Sequence, residues 1–132
     1  MAMPRYESVA EYDAACTDLA RAALATVRGL SAELVPDAGR REERLSYGIP
    51  TLFVEGRRIV HYAGWDAHLA LYPIPPSPAG DPTLREELTA YVRGKGTLHF
   101  PYAAGLPVPL IRRVVAAHLE RAGVVGGGGS AS

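Results

Sequence analysis

Apolar residues recur at steps of three or four along the first quarter of the chain. This spacing is typical of one face of an amphipathic helix and predicts a single long helix over about 8–35. A capping box of Ser8 and Glu11 marks its start. Pro36 disfavours helical backbone at the residue before it and so marks its end. The predicted apolar stripe consists of Val9, Tyr12, Cys16, Leu19, Ala23, Val27, Leu30 and Leu34.

The pattern changes to alternation between Arg44 and Pro73. Short apolar runs interrupted by glycine and proline predict four strands, and the short turns between them make neighbouring strands antiparallel. The first carries Leu45 and Tyr47, and the others span 51–54, 58–63 and 67–72. In the fourth strand, Leu69 and Leu71 lie on one face, and His68, Ala70 and Tyr72 lie on the other.

Proline-rich sequence at 73–78 ends this strand-rich block. Asp81 and Pro82 then predict the start of a second helix, which Gly94 can end. A fifth strand over 95–100 and a last helix over about 107–121 complete the pattern. The buried side of that helix is predicted to hold Leu110 or Ile111, Val114, Val115, His118 and Leu119.

The order α-β-β-β-β-α-β-α indicates an α+β domain, because its strands are clustered and its helices are not regularly interleaved. We expect a two-layer sandwich in which helices pack on one face of an antiparallel sheet of about five strands. The domain is predicted to span 8–122, between a lead-in at 1–7 and a glycine- and serine-rich tail at 123–132. Both ends are expected to be flexible.

The charge balance and composition narrow the class of protein. Fourteen basic residues match fourteen acidic ones, so the chain lacks the basic excess of a nucleic-acid binder. The sequence shows no membrane-spanning apolar run and no secretory signal. The single Cys16 cannot form an internal disulfide. We therefore expect a cytoplasmic protein that binds neither nucleic acid nor membrane.

Three ordered motifs resemble those of a known family. They are L-S-Y-G-I-P at 45–50, H-L-A-L-Y-P at 68–73 and K-G-T-L-H-F-P at 95–101. Together they resemble the YdhG-like (DUF1801) family, which is related to small frataxin-like and YjbR-like α+β domains. At least one member is described as an iron chaperone for iron–sulfur cluster assembly. The resemblance thus implies a carrier protein, weakly bound iron and the iron–sulfur assembly machinery as a partner.

Carboxylates on the first helix are the candidate iron ligands. Glu11, Asp13 and Asp18 offer the hard oxygen atoms that suit a weakly held iron ion. Arginines interrupt these acids along the helix, and an ordinary solvated helix face explains the same pattern.

A second hypothesis is a pocket for an anion or a polar small molecule. Tyr47, His68, Tyr72, Lys95 and Thr97 could meet on one side of the sheet and bind such a ligand by charge-assisted hydrogen bonds. The alternative is that Tyr47 and Tyr72 are core aromatic residues.

Other kinds of site receive less support from the sequence. No close histidine pair or C-x-x-C motif indicates zinc, although His61 and His99 could meet across strands. The segment G-K-G-T lacks the full phosphate-loop pattern, and Cys16 lies on the apolar stripe, so catalysis by a nucleophile is not expected. A third hypothesis is an interaction module that forms a homodimer through an exposed sheet face or edge.

Overall fold

This computed structural model describes residues 6–124 of the chain, which contain four α-helices and six β-strands. The helices are α1 (Val9–Ala15), α2 (Asp18–Leu34), α3 (Leu84–Leu88) and α4 (Val108–Arg121). The strands are β1 (Arg41–Ser46), β2 (Ile49–Val54), β3 (Arg57–Gly64), β4 (His68–Tyr72), β5 (Val92–Arg93) and β6 (Thr97–Pro101). Most of the predicted lead-in (1–5) and tail (125–132) lies outside the described residues.

The strands form one antiparallel sheet in the order β1-β2-β3-β4-β6-β5. The prediction of an α+β fold with helices on an antiparallel sheet is confirmed. The sheet has one strand more than expected, because β5 occupies positions that were assigned to the end of the second helix. A strand of two residues is too short for alternation to be visible in the sequence.

Tight turns join β1 to β2 and β2 to β3. Tyr47 and Gly48 both have positive φ, and so do Glu55 and Gly56, as in the type I′ turns that suit two-residue hairpin loops. Tyr47 therefore lies in a turn and not in the first strand, where the sequence had placed it. That strand instead begins at Arg41, three residues before the strand-rich segment that the sequence predicted.

The predicted first helix is broken into two. Cys16 has extended backbone, and the Thr17 hydroxyl accepts a hydrogen bond from the Ala20 amide at 3.2 Å, which caps the start of α2. Leu19, in the first turn of α2, is 60% exposed, although it was predicted to lie on the buried stripe. The residues of α2 that are buried are Ala20, Ala23, Leu24, Val27, Leu30 and Ser31.

The core lies between the sheet and the helices. Gly64 marks the face that α2 covers, since a Cβ atom there would lie 3.1 Å from the Ala20 Cβ. Tyr62, two residues before Gly64, lies on the same face of the sheet, and its cross-strand partner on β4 is Leu71. α4 also packs on β3, and its predicted buried side is confirmed. Of the two alternatives that the sequence offered, Leu110 and Ile111, it is Ile111 that is buried. The packed region reaches Val124, which is buried.

Two groups of ion pairs fasten the helices. Glu43 on β1 accepts hydrogen bonds from Arg28 of α2 and from the Tyr62 hydroxyl, while Arg28 also binds Asp13 of α1. In the second group, Arg113 of α4 binds the carboxylates of Asp81 and Glu87. Hydrogen bonding to Arg113 lowers the pKa of Glu87 to about 2, so this carboxylate is ionised at neutral pH.

Asp81 was predicted to cap α3 and does not. Thr83 is the capping position, without a side-chain hydrogen bond, and the Asp81 carboxylate binds Arg113 instead. Within residues 6–124, none of the helices has the length and apolar character required to cross a membrane.

Candidate binding site on the open sheet face

The sheet face opposite the helices, here called the open sheet face, carries three of the four histidines. The strand register places Thr51, His61 and Tyr72 side by side across β2, β3 and β4. A neighbouring row places His99 of β6 beside Ala70 of β4. His68 lies on the same face, two residues before Ala70.

His68 and His99 stack on each other. Their ring centroids are 3.9 Å apart and their planes differ by 20°. They are diagonal neighbours on antiparallel strands, the arrangement in which larger side chains on one face can meet. The Trp65 ring lies 6.4 Å from His68 and tilted by 30°. The pair borders a cavity of about 350 Å³ lined by Trp65, His68, Ala70, Tyr72, Thr97 and His99.

A second line of rings extends from this cavity across the face. Tyr72 stacks with His61 at 5.6 Å, and His61 lies 5.9 Å from Tyr47. His61 Nδ1 lies 2.7 Å from the Thr51 hydroxyl oxygen. The Thr51 hydroxyl also donates a hydrogen bond to the Ile49 carbonyl at 3.0 Å. With that hydroxyl proton given to Ile49, His61 Nδ1 donates to Thr51, and Nε2 is left as an acceptor.

The electrostatics of the open sheet face favour anions. Burial lowers the pKa values of His61, His68 and His99, so the three imidazoles are neutral at neutral pH. The groups that add to this lowering are basic: Arg58 acts on His61, and His68, followed by Arg93, acts on His99. The positive charges of Arg58 and Arg93 would therefore attract an anion bound on this face.

Three of the five predicted ligand-binding residues, His68, Tyr72 and Thr97, line the same cavity. Burial raises the pKa of Tyr72 to about 12, so its hydroxyl keeps its proton. Among the described residues this hydroxyl has no hydrogen-bond partner, which leaves it free to donate to a ligand.

The other two predicted residues lie elsewhere. Tyr47 is separated from the cavity by His61, and it is 82% exposed, so its interpretation as a core residue is wrong. Lys95 is an exposed residue of the turn between β5 and β6 and is not part of the cavity lining.

His99 and Trp65 are the members of this site that the sequence did not assign. The prediction that His61 and His99 could meet across strands is wrong, because β4 lies between β3 and β6. Alternation in 97–100 was the available signal, since it places Thr97 and His99 on one face and Leu98 and Phe100 on the other. Trp65 lies in a turn, where periodicity gives no information.

The predicted iron ligands each bind a protein partner. Glu11 accepts a hydrogen bond from the Glu7 amide at 2.8 Å, Asp13 binds Arg28, and Asp18 binds Arg21. Residues 6–124 contain no group of three or more histidine, cysteine, aspartate or glutamate side chains arranged to hold a metal ion. Burial raises the pKa of the Cys16 thiol, which fits its interpretation as an unreactive side chain.

Comparison with known proteins supports the fold that the motifs implied. A scan of protein-family models gives no match, and a search of curated proteins finds no similar sequence. Among solved structures, the chain is similar to a DUF1801 family protein, YdhG from Bacillus subtilis, with a TM-score of 0.66 and 14% sequence identity. The match covers 86% of this chain and 90% of that protein. The chain thus has the fold of a DUF1801 family protein.

Proposed function

Because this fold presents a stacked histidine pair beside a cavity, we propose that the protein is a non-enzymatic binding domain for a planar aromatic anion. The observation that carries the proposal is the stack of His68 on His99 at the edge of the cavity on the open sheet face. The volume of about 350 Å³ falls within the usual range of small-molecule sites.

The lining supplies the groups that such a ligand needs. The rings of Trp65, His68 and His99 offer flat surfaces for a planar ligand, and buried Ala70 has no side chain large enough to block access. The hydroxyls of Tyr72 and Thr97 can donate hydrogen bonds to a carboxylate. The positive charge of Arg93 acts in the same direction.

Carriage of iron for iron–sulfur cluster assembly stays a prediction of the sequence resemblance. Its proposed ligands Glu11, Asp13 and Asp18 would have to exchange their present partners for the ion. A calorimetric titration with ferrous iron would test it, and the absence of binding heat would count against it. A homodimer likewise stays a prediction.

The first test is binding of 1-naphthoate, monitored by the fluorescence of Trp65, the single tryptophan of the chain. We expect saturable quenching, and we expect His99→Ala to weaken binding about two- to tenfold, because one stacked ring is worth about 0.5–1.5 kcal/mol. Arg85→Ala, an exposed change on α3, should leave the affinity unchanged. Wild-type affinity in both His99→Ala and His68→Ala would refute the proposal.

The pH dependence of the binding affinity is a second test of the same site. The pKa values of His68 and His99 in the free protein are lowered, and a bound anion favours their protonated forms. Binding should therefore take up protons, and the affinity should rise as the pH falls from about 8 to about 5.5, before the ligand carboxyl itself is protonated near about pH 4. The double variant His68→Ala/His99→Ala should lose this rise, and a rise of unchanged size would assign it to other groups.

A further inference from the structure

A second cavity lies on the other side of Trp65 and His68. Its volume is about 570 Å³, and it lies between α1 and the turn that joins β3 to β4. Tyr6 and Tyr12 form one corner, with their rings at 82° and their centroids 5.6 Å apart. Trp65, which is 38% exposed, provides a third aromatic wall.

Hydrogen bonds hold these walls in place. The Tyr12 hydroxyl accepts a hydrogen bond from the Gly64 amide at 3.1 Å. The Tyr102 hydroxyl donates to the Trp65 carbonyl at 2.8 Å, and the Trp65 amide donates to the His68 carbonyl at 3.0 Å. These hydrogen bonds position the Tyr12 ring and the backbone of Trp65 in the absence of a ligand.

The carboxylate of Asp66 gives this cavity the opposite charge preference from the open sheet face. Asp66 is exposed, lines the cavity and has no ion pair or hydrogen bond to its side chain within residues 6–124. The two arginines whose charges act on the cavity-lining Cys16 are engaged by other groups. Arg21 is bound by Asp18 and by backbone carbonyls, and Arg28 is bound by Asp13 and Glu43.

Aromatic faces around an unpaired carboxylate are the chemistry by which proteins bind alkylammonium ions. The ring faces attract the diffuse positive charge, and the carboxylate neutralises it without demanding a hydrogen bond from the methylated nitrogen. From Tyr6, Tyr12, Trp65 and Asp66 together we infer that this cavity binds a small methylated ammonium cation. This cavity is distinct from the one proposed for the aromatic anion, although Trp65 and His68 border both.

The test compares choline with its uncharged isostere 3,3-dimethylbutan-1-ol, using the full chain and Trp65 fluorescence. The two probes have nearly the same shape, so a difference in affinity reports the charge. We expect choline to bind more tightly by about fivefold or more, which lies within the range measured for a cation over aromatic rings. Equal affinities, or no saturable response to choline, would overturn the inference.

Variants locate the response. Asp66→Asn and Tyr6→Leu, both at accessible positions, should each weaken choline binding severalfold, whereas Glu86→Gln on α3 removes one exposed carboxylate at a distant element and should not. His99→Ala should leave choline binding intact, because His99 lines only the other cavity, and Tyr6→Leu should leave naphthoate binding intact. Unchanged choline affinity in both Asp66→Asn and Tyr6→Leu would overturn this inference without touching the proposed anion site.

Discussion

Replacement of Leu98 by alanine should lower the free energy of unfolding by about 2–5 kcal/mol. Leu98 is fully buried on the helix-covered face of β6, where its neighbours across the sheet are Leu71 on β4 and Val92 on β5. The variant loses the transfer free energy of the removed atoms and leaves a cavity that the surrounding sheet can fill only in part. Urea denaturation followed by circular dichroism measures the change.

Thr97→Ala is the matched control, because it changes the adjacent residue of the same strand on the open sheet face. Its expected cost is within about 0.5 kcal/mol, as for substitutions away from the core. Similar losses for the two variants would show that both faces of β6 are packed. That result would also remove the basis for placing a binding site on the open sheet face.

Replacement of Glu43 by alanine should cost about 1–3 kcal/mol of unfolding free energy, the usual penalty for leaving polar partners unsatisfied. The Glu43 carboxylate receives both the Arg28 Nε–H at 2.8 Å and the Tyr62 hydroxyl at 2.6 Å. Tyr62 is buried, so its hydroxyl cannot turn to bulk water when Glu43 is removed. Arg28 is partly exposed and keeps Asp13, which limits the loss.

Glu42→Ala tests whether this cost belongs to the buried network and not to the strand. Glu42 is the preceding residue of β1 and makes only an exposed ion pair with Arg44 at 3.3 Å. Its removal should change the free energy by less than about 0.5–1 kcal/mol. A double-mutant cycle of Glu43→Ala with Tyr62→Phe should show coupling, and strict additivity would contradict the shared hydrogen bond.

Sequence patterns predicted those features that depend on neighbouring residues. Alternation separated His68 and Tyr72 from Leu69 and Leu71, and the structure places them on opposite faces of β4. The buried side of α4 followed from helical spacing in the same way. Three residues of the proposed pocket could be assigned because two of them share a strand face and the third begins the strand beside it.

Features set by distant or competing contacts could not be predicted in this way. The stack of His68 on His99 depends on β6 lying beside β4, a pairing between strands that are far apart in the chain. The break before α2 reflects local competition, because the cap at Thr17 prevails over an apolar stripe that runs past it. Tyr47 looked like a strand residue because aromatic residues favour strands, whereas the Tyr47–Gly48 turn fixes its backbone.

The lengths of the connections between strands determine how much chain entropy is lost when each pair of strands forms. β1 to β4 are joined by connections of only a few residues, so each pairing closes a short loop. β6 reaches β4 only after the segment 73–96, and the entropy lost on closing a loop grows with its length. The meander β1–β4 is therefore the part of the sheet whose formation depends least on the rest of the chain. The histidine stack can assemble only when the more costly β4–β6 pairing is made.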